Sequence, residues 1–499
     1  MLTGKEGKRI RTQWVHNCLS MSLPGKRKPS PAEGKLLFDL DPEPLEECLT
    51  AFAGIPLFVQ AMRSLNLSTK VKQRVQLKQR QRGFDEATYV ESFLVLNALG
   101  GDCLEDFERL REDVGLKAML GHELPSPEAA RKFLYQFHDE QEMERAQAEL
   151  PVGQVSYIPA EGAGLRALAQ VNGDLVGDIG RRCPEQRIAT IDLDGTVIES
   201  FKREARKTYE GTTGYQPMLA LWAEMDLAVA DEFRDGNVPA TKALLPVAQR
   251  AFQALPESVN EFYFRGDSGC WERTLVNWLR DENRAEGPKG RITFAISVRM
   301  TASLKQHIGR TTESLWKPYR EDADMVSECV DLLNYWPEEE DRPEGAGPLR
   351  YVAIRVRKRQ GDLFADGATT KHFAVATNEW DWNSKKLLEW HREKAGSIEA
   401  LHHVLKNELA AGVMPCGRFG ANAAWLRFAV LTHNMLTALK RIALPDSWLR
   451  ARPKRLRFQI FCSPGKLVHH ARQVLLKVGR LREQLAEWTA ALRMLPATG

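Results

Sequence analysis

Apolar and polar residues alternate along the chain with two different rhythms. From Leu45 to about Ala148 the spacing is helical, as in Val90-Glu91-Ser92-Phe93-Leu94-Val95-Leu96. Gly100-Gly101-Asp102 separates one such helix from the next, and Pro125-Ser126-Pro127-Glu128 gives Ser and Pro helix-start signals ahead of Ala129 to Phe137. Near Arg187 the rhythm becomes β-prone. Strands are expected at Ile188–Leu193, Met218–Ala223, Ala228–Phe233 and Phe262–Phe264, with helices at Thr241–Ala254 and Glu272–Arg280. Ile292–Val298, Tyr351–Arg357 and Phe373–Ala376 follow as strands around a Pro- and Glu-rich stretch, Trp336 to Pro348. Beyond Ser384 the pattern is helical to about Lys440. Past Arg441, Phe458–Cys462 reads as a strand, and a basic amphipathic helix comes after it.

Strand, strand, strand, helix, strand, helix is the order of a ribonuclease-H-like fold. The expected class is therefore α/β, with a ribonuclease-H-like catalytic core at 185–440 that holds a β-rich insertion at about 290–378. A polar arm at 1–33 and a helical region at 34–184 precede it, and a basic tail at 441–499 follows.

Composition adds a local charge asymmetry. The net charge is only +4, yet Ser447 to Arg482 carries ten Lys or Arg and no acid, and Lys70 to Arg82 carries six and no acid. Glu338 to Asp341 forms an acidic loop. Solvated helix faces explain either basic run alone, but two in one chain suit a polyanion. The eight cysteines include no C-x-x-C pair, which disfavours a zinc ribbon or a disulfide framework and implies a reducing, cytosolic setting. No run approaches the ~18 apolar residues of a membrane span.

Three places carry candidate chemistry. Asp192-Leu193-Asp194-Gly195-Thr196 closes the first strand, so both carboxylates share one face and offer hard oxygen ligands. Phe264-Arg265-Gly266-Asp267-Ser268-Gly269 sets an acid directly after the fourth strand. Ser397-Ile398-Glu399 through Lys406 puts Glu399 and Lys406 two helical turns apart on one face, beside an apolar stripe of Ile398, Leu401 and Leu405.

With these segments the chain resembles a DDE transposase of bacterial insertion sequences, from the cut-and-paste group with a β-rich insertion before the catalytic Glu. Gly211-Thr212-Thr213-Gly214-Tyr215-Gln216-Pro217, Arg234-Asp235-Gly236-Asn237, Thr377-Asn378, Lys406-Asn407-Glu408-Leu409 and Asn422-Ala423-Ala424-Trp425 carry the same likeness. So do Leu99-Gly100-Gly101-Asp102 and Leu110-Arg111-Glu112-Asp113. The resemblance implies a catalytic, metal-binding triad of Asp194, Asp267 and Glu399, with Asp192 as a supporting neighbour or alternate. It departs from the family at Tyr-x2-Arg-x3-Glu-x6-Lys, where Arg392 stands for the Tyr and Ala395 for the Arg. Arg392 or Lys394 is then expected to supply the missing charge.

The implied reaction is Mg²⁺-dependent (Mn²⁺ as substitute) hydrolysis at the element's ends, followed by attack of the freed 3′-OH on target DNA. Three acids would hold two metals about 3.5–4 Å apart. Some relatives also stack a flipped base on Trp, for which Trp316, Trp380, Trp382 and Trp390 are candidates. The implied partners are double-stranded DNA with terminal inverted repeats, target DNA and a second copy of the chain in the DNA complex. The setting is the bacterial cytoplasm, at the nucleoid. Expected DNA contacts are Lys406, Arg392 and Lys394 near the site, Lys70, Lys72 and Arg74 in the helical DNA-binding region, and Arg450, Arg452, Lys454 and Arg455 in the tail.

Two other readings remain open. Asp192-x-Asp194-Gly195-Thr196 also fits a haloacid-dehalogenase-like phosphatase with Asp192 as nucleophile, although Ser268 to Glu272 lack the further Asp that reading predicts. A transposase-derived DNA-binding protein with a silent triad is the non-enzymatic alternative.

Overall fold

In a computed structural model, residues 47–78, 83–337, 342–359, 364, 367–470 and 473–495 are described. The expected polar arm, the acidic loop Glu338–Asp341, and Arg80 and Arg82 of the first basic run lie outside them.

Local capping signals begin the helices. The Asp85 carboxylate accepts from Thr88 N at 2.8 Å and starts Glu86–Leu99. The Ser126 hydroxyl accepts from Ala129 N at 3.2 Å and starts Pro127–Tyr135, with proline in its first turn. Leu67–Arg74 and Ala163–Arg181 pack against each other, and the two-residue strand β1 (Leu49–Thr50) precedes them all.

The first long strand after these helices is β2 (Ile188–Gly195). A small three-stranded sheet then leaves and rejoins it: β3 (Ile198–Glu199), β4 (Arg206–Lys207) and β5 (Thr213–Tyr215). Its two ends are tied together where Thr196 N donates to Pro217 O at 3.0 Å. The main sheet continues with β6 (Met218–Trp222), β7 (Leu227–Glu232), β8 (Glu261–Gly266) and β9 (Ile292–Ser297). The helix Leu244–Gln253 lies between β7 and β8, and Arg273–Arg280 between β8 and β9. β8 is parallel to β2 and β9 to β8, whereas β6 and β7 run antiparallel, giving the order β9-β8-β2-β6-β7.

The later strands β10 (Lys317–Glu321), β11 (Met325–Asp331), β12 (Arg350–Lys358) and β13 (Thr370–Thr377) extend this same sheet, because β13 pairs edge-on with β9. Nine strands result. β10 and β11 were not legible in the sequence: Lys317-Pro318-Tyr319-Arg320-Glu321 is mostly exposed and lacks an apolar face.

The helix Phe419–Ile442 is buried almost throughout, so its apolar residues cover every side rather than one stripe. Phe428 stacks on Phe93 at 4.7 Å, and Asn434 donates to Asn172 and accepts from Ala228 N, each at 2.8 Å. One core thereby runs through the helical region and the sheet.

The tail corrects two expectations. Phe458–Cys462 is not a strand, since Arg457–Phe461 is a π-helical turn continuing Pro453–Leu456. Ile460 and Phe461 face the core while Phe458 is exposed, a burial pattern that five residues cannot assign to strand or helix. A hairpin, β14 (Gly465–His470) and β15 (Gln473–Val478), intervenes before the final helix Arg482–Arg493, and β14 pairs with β1.

Candidate active site

Asp194 and Asp267 reach one place because two parallel strands end together. In the β2–β8 register Asp192 faces Arg265 and Leu193 faces Gly266, so Asp194 and Asp267 each directly follow the last paired position. The chain after Gly266 folds back tightly. Asp267 Oδ1 accepts from Gly269 N at 2.8 Å, Cys270 N donates to Asp267 O at 3.0 Å, and the Cys270 thiol meets Leu193 O at 3.3 Å. Burial, with the charges of Asp267 and Asp194 adding to it, pushes the Cys270 thiol well above its ordinary range. Glu272 caps the following helix through Thr274 N and Leu275 N.

Asp194 is itself engaged. Oδ1 accepts from Gly195 N at 2.9 Å, and Oδ2 accepts from the Lys394 ammonium at 3.0 Å. Lys394 opens the helix Lys394–Glu408, immediately after the helix Ser384–Arg392 ends. Burial works to lower its pKa, but the charge and hydrogen bond of Asp194, joined by Asp267, hold it above the usual lysine value. Lys394 is thus buried against the acidic pair and does not stand on an open surface.

Asp192 has a different task. It is fully buried and gripped by the Arg265 guanidinium, Nε to Oδ1 at 2.6 Å and Nη2 to Oδ2 at 2.9 Å, and the Ser397 hydroxyl also donates to it. Arg265 Nη1 continues to Trp390 O at 2.7 Å and Glu393 Oε2 at 3.1 Å, with the guanidinium 5.3 Å from the Trp390 ring centroid. One side chain therefore clamps β2, β8 and both late helices. A carboxylate so enclosed cannot act as an attacking nucleophile, which removes the structural basis of the phosphatase alternative. Arg265 was missed in the sequence, where its only signal was a position two residues before Asp267.

His391 completes this wall, with Nε2 3.0 Å from Gly266 O; burial lowers its pKa to about 4.

Glu399 is exposed on the Lys394–Glu408 helix, while Ile398, Leu401 and Leu405 dock it. Among the described residues, no hydrogen bond or ion pair joins Glu399 to Asp194 or Asp267. Nor do these three acids draw their oxygens within 4.8 Å of one another, as Asp102, Cys103 and Asp106 do; there the Asp106 carboxylate accepts from two backbone amides. Lys406, two turns beyond Glu399, donates to Val197 O at 3.3 Å, just past the Asp194 motif.

The remaining expected DNA contacts lie elsewhere. Arg392 is exposed and reaches the Tyr319 hydroxyl. Lys70 pairs with Asp178 at 2.5 Å, Lys72 with Asp85 at 3.0 Å and Arg74 with Asp174 at 2.9 Å, so intramolecular acids balance all three charges. Arg450 and Lys454 are exposed, Arg452 pairs with Glu408, and the Arg455 guanidinium lies 4.6 Å from the Trp448 ring centroid. Of the four tryptophans, Trp316 is buried beneath Arg355 and Trp382 packs against Trp390 and Tyr263, while Trp380 is exposed.

The small β3–β5 sheet was unforeseen. It presents exposed Phe201 and Tyr209 among Lys202, Arg203, Arg206 and Lys207. The Tyr209 hydroxyl feels the acidic pair: burial, the Glu210 hydrogen bond and the charges of Glu210, Asp194 and Asp267 all raise its pKa.

Does the donor set suit the metal that the sequence resemblance implies? Two hard carboxylates stand on adjacent strand ends, and the Lys394 ammonium is already a cation seated on one of them. The pair fits a divalent cation. The third acid is not gathered with it.

Asp194 and Asp267 thus come together where two neighbouring parallel strands end, at one end of a mixed sheet. The family model for the transposase DDE domain group 1 matches residues 47–497, and the chain belongs to that family. Membership implies a nucleic-acid transferase that works in transposition and DNA recombination. No curated protein matches the chain. Among solved structures it is similar to piggyBac transposase in a synaptic complex with hairpin DNA, at 10% identity. The match covers 90% of this chain and 84% of that one at a TM-score of 0.37, a likeness too loose to place residues. Among the described residues no helix is long and apolar enough to cross a membrane.

Proposed function

We propose that this chain is a DNA transposase that cuts and joins phosphodiesters at the ends of an insertion sequence. Its core is read as ribonuclease-H-like, supported by the strand order β9-β8-β2-β6-β7 with acids at the end of the first strand and after the fourth. The adjacency of Asp194 and Asp267 at the ends of β2 and β8 carries the reading. Glu399, exposed on the late helix, is the third acid and approaches when DNA is bound. Mg²⁺, or Mn²⁺ in its place, would be held by Asp194, Asp267 and Glu399. When bound, it supplies Lewis-acid activation of water and stabilises the leaving oxygen.

The chain's own residues do the rest. Arg265 and Asp192 fix the strand ends, so the two acids need not reorganise during reaction. Lys406 places positive charge beside the Asp194 loop for a phosphate. The β3–β5 flap adds cations and two aromatic faces on which bases at a nick can stack. Double-stranded DNA with terminal inverted repeats and target DNA are the partners, bridged by a dimer, in the bacterial cytoplasm at the nucleoid. A silent DNA-binding protein is the second reading, favoured by the separation of Glu399 from the pair.

One assay decides between them: Mg²⁺-dependent nicking of DNA carrying the element's ends. Asp194→Asn, Asp267→Asn and Glu399→Gln should each lower the rate by at least about 100-fold, the scale of losing a group aimed at transition-state charge. Full activity in Asp267→Ala sinks the assignment, and a wild type that binds ends without nicking them selects the silent reading.

A further inference from the structure

Two carboxylates at the ends of neighbouring strands repel each other unless a positive charge lies between them or one keeps its proton. Here that charge is covalently part of the chain. Lys394 is 3.0 Å from Asp194, with side-chain exposures of 9% and 17% for the two residues. Its position is built: Ser397, three residues on, holds Asp192, and Arg265 joins Asp192 to the carbonyl of Trp390 and to Glu393, just before Lys394. The ammonium is therefore delivered to Asp194 by the same network that fixes the strand ends. Its four-carbon stem ends in a compact point charge, which can swing aside as a planar guanidinium fork cannot.

We propose that Lys394 is a tethered counter-cation: it occupies the Asp194 carboxylate in the metal-free protein and leaves it when a divalent cation binds. The proposal rests on the metal-dependent transposase reading above. Lys394 competes directly with the metal, so the free protein holds divalent cations weakly. The displaced ammonium becomes a phosphate-binding charge beside the acids. This reconciles its buried ion pair with the DNA contact expected from the sequence.

The test follows Mn²⁺ binding to the full chain without DNA, read from the electron paramagnetic resonance of free Mn²⁺. Lys394→Gln should bind Mn²⁺ at least about tenfold more tightly than wild type, because a unit charge near 4 Å is removed from the site. Lys394→Arg keeps the charge in a fork that swings aside less readily, so it should bind Mn²⁺ no more tightly than wild type. Adding Asp194→Asn to Lys394→Gln should abolish the gain. Mn²⁺ should also raise the melting temperature of Lys394→Gln more than that of wild type, by mass action on the folded state, a readout that survives partial destabilisation. Equal Mn²⁺ affinity and equal melting shifts in wild type and Lys394→Gln overturn the proposal. Absence of Mn²⁺ binding in both instead removes the metal-site reading beneath it.

Discussion

At the scale of single residues, identical side chains two positions apart have opposite roles. Asp192 and Asp194 share a face of β2, yet one is sealed by Arg265 and Ser397 while the other sits at the rim beside Asp267. Removing the charge of Asp192 leaves the buried Arg265 guanidinium with only the exposed Glu393 carboxylate to offset it. Asp192→Asn should thus cost about 3–5 kcal/mol of unfolding free energy, the usual result of breaking one side of a buried pair. Urea denaturation measures it, and a loss below about 1 kcal/mol would show that Arg265 is held by its other contacts. The sequence reading made Asp192 a supporting neighbour of Asp194 or its alternate, and the structure buries it against Arg265. The sequence had no means of naming the arginine that holds it.

At the scale of elements, the turn after β8 does most to set the geometry. Gly266 leaves no room for a larger residue, because an added Cβ would lie 2.5 Å from Cys270 Cβ and 2.9 Å from its sulfur. Gly266→Ala must push the 266–270 turn outward, and Asp267 moves with it. Nicking should fall by at least about tenfold with the fold retained, since displacements on the order of 1 Å at a reacting centre cost up to about 100-fold. Circular dichroism together with the nicking rate checks this, and unchanged activity would mean that the turn absorbs the methyl elsewhere. The capping signal of Ser126 was readable because it acts within three residues. The β3–β5 flap and the helical turn at Arg457–Phe461 were not legible, because their strands or turns are too short for a period to establish itself.

At the scale of the whole molecule, the N-terminal helices and the sheet are joined through the Phe419–Ile442 helix. Its Arg427 is buried and binds Asp231 on β7, with Nη2 to Oδ2 at 2.7 Å, and Glu161 ahead of the Ala163–Arg181 helix, also at 2.7 Å. Arg427→Ala would strand two carboxylates in the core at a cost of about 3–5 kcal/mol. The effect should depend on pH. Burial works to raise the Glu161 pKa, but Arg427 outweighs it and holds the carboxyl below its ordinary value. That contribution is present above the unfolded-state pKa and fades as pH falls through the lower folded value. The gap in denaturation free energy between wild type and Arg427→Ala should therefore narrow toward acid pH. A gap independent of pH would assign the loss to packing instead.

The sequence by itself determined the element rhythm, the helix start at Ser126, and an ordered set of segments that mark a DDE transposase. Those signals are local or depend only on order along the chain. The tertiary structure alone decided that Asp192 is sealed by Arg265 and Ser397 while Asp194 pairs with Lys394. It also balanced Lys70, Lys72 and Arg74 with acids of the same chain. The reason is physical: a charge is defined by what packs against it, and Lys394 meets an acid 200 residues earlier in the chain.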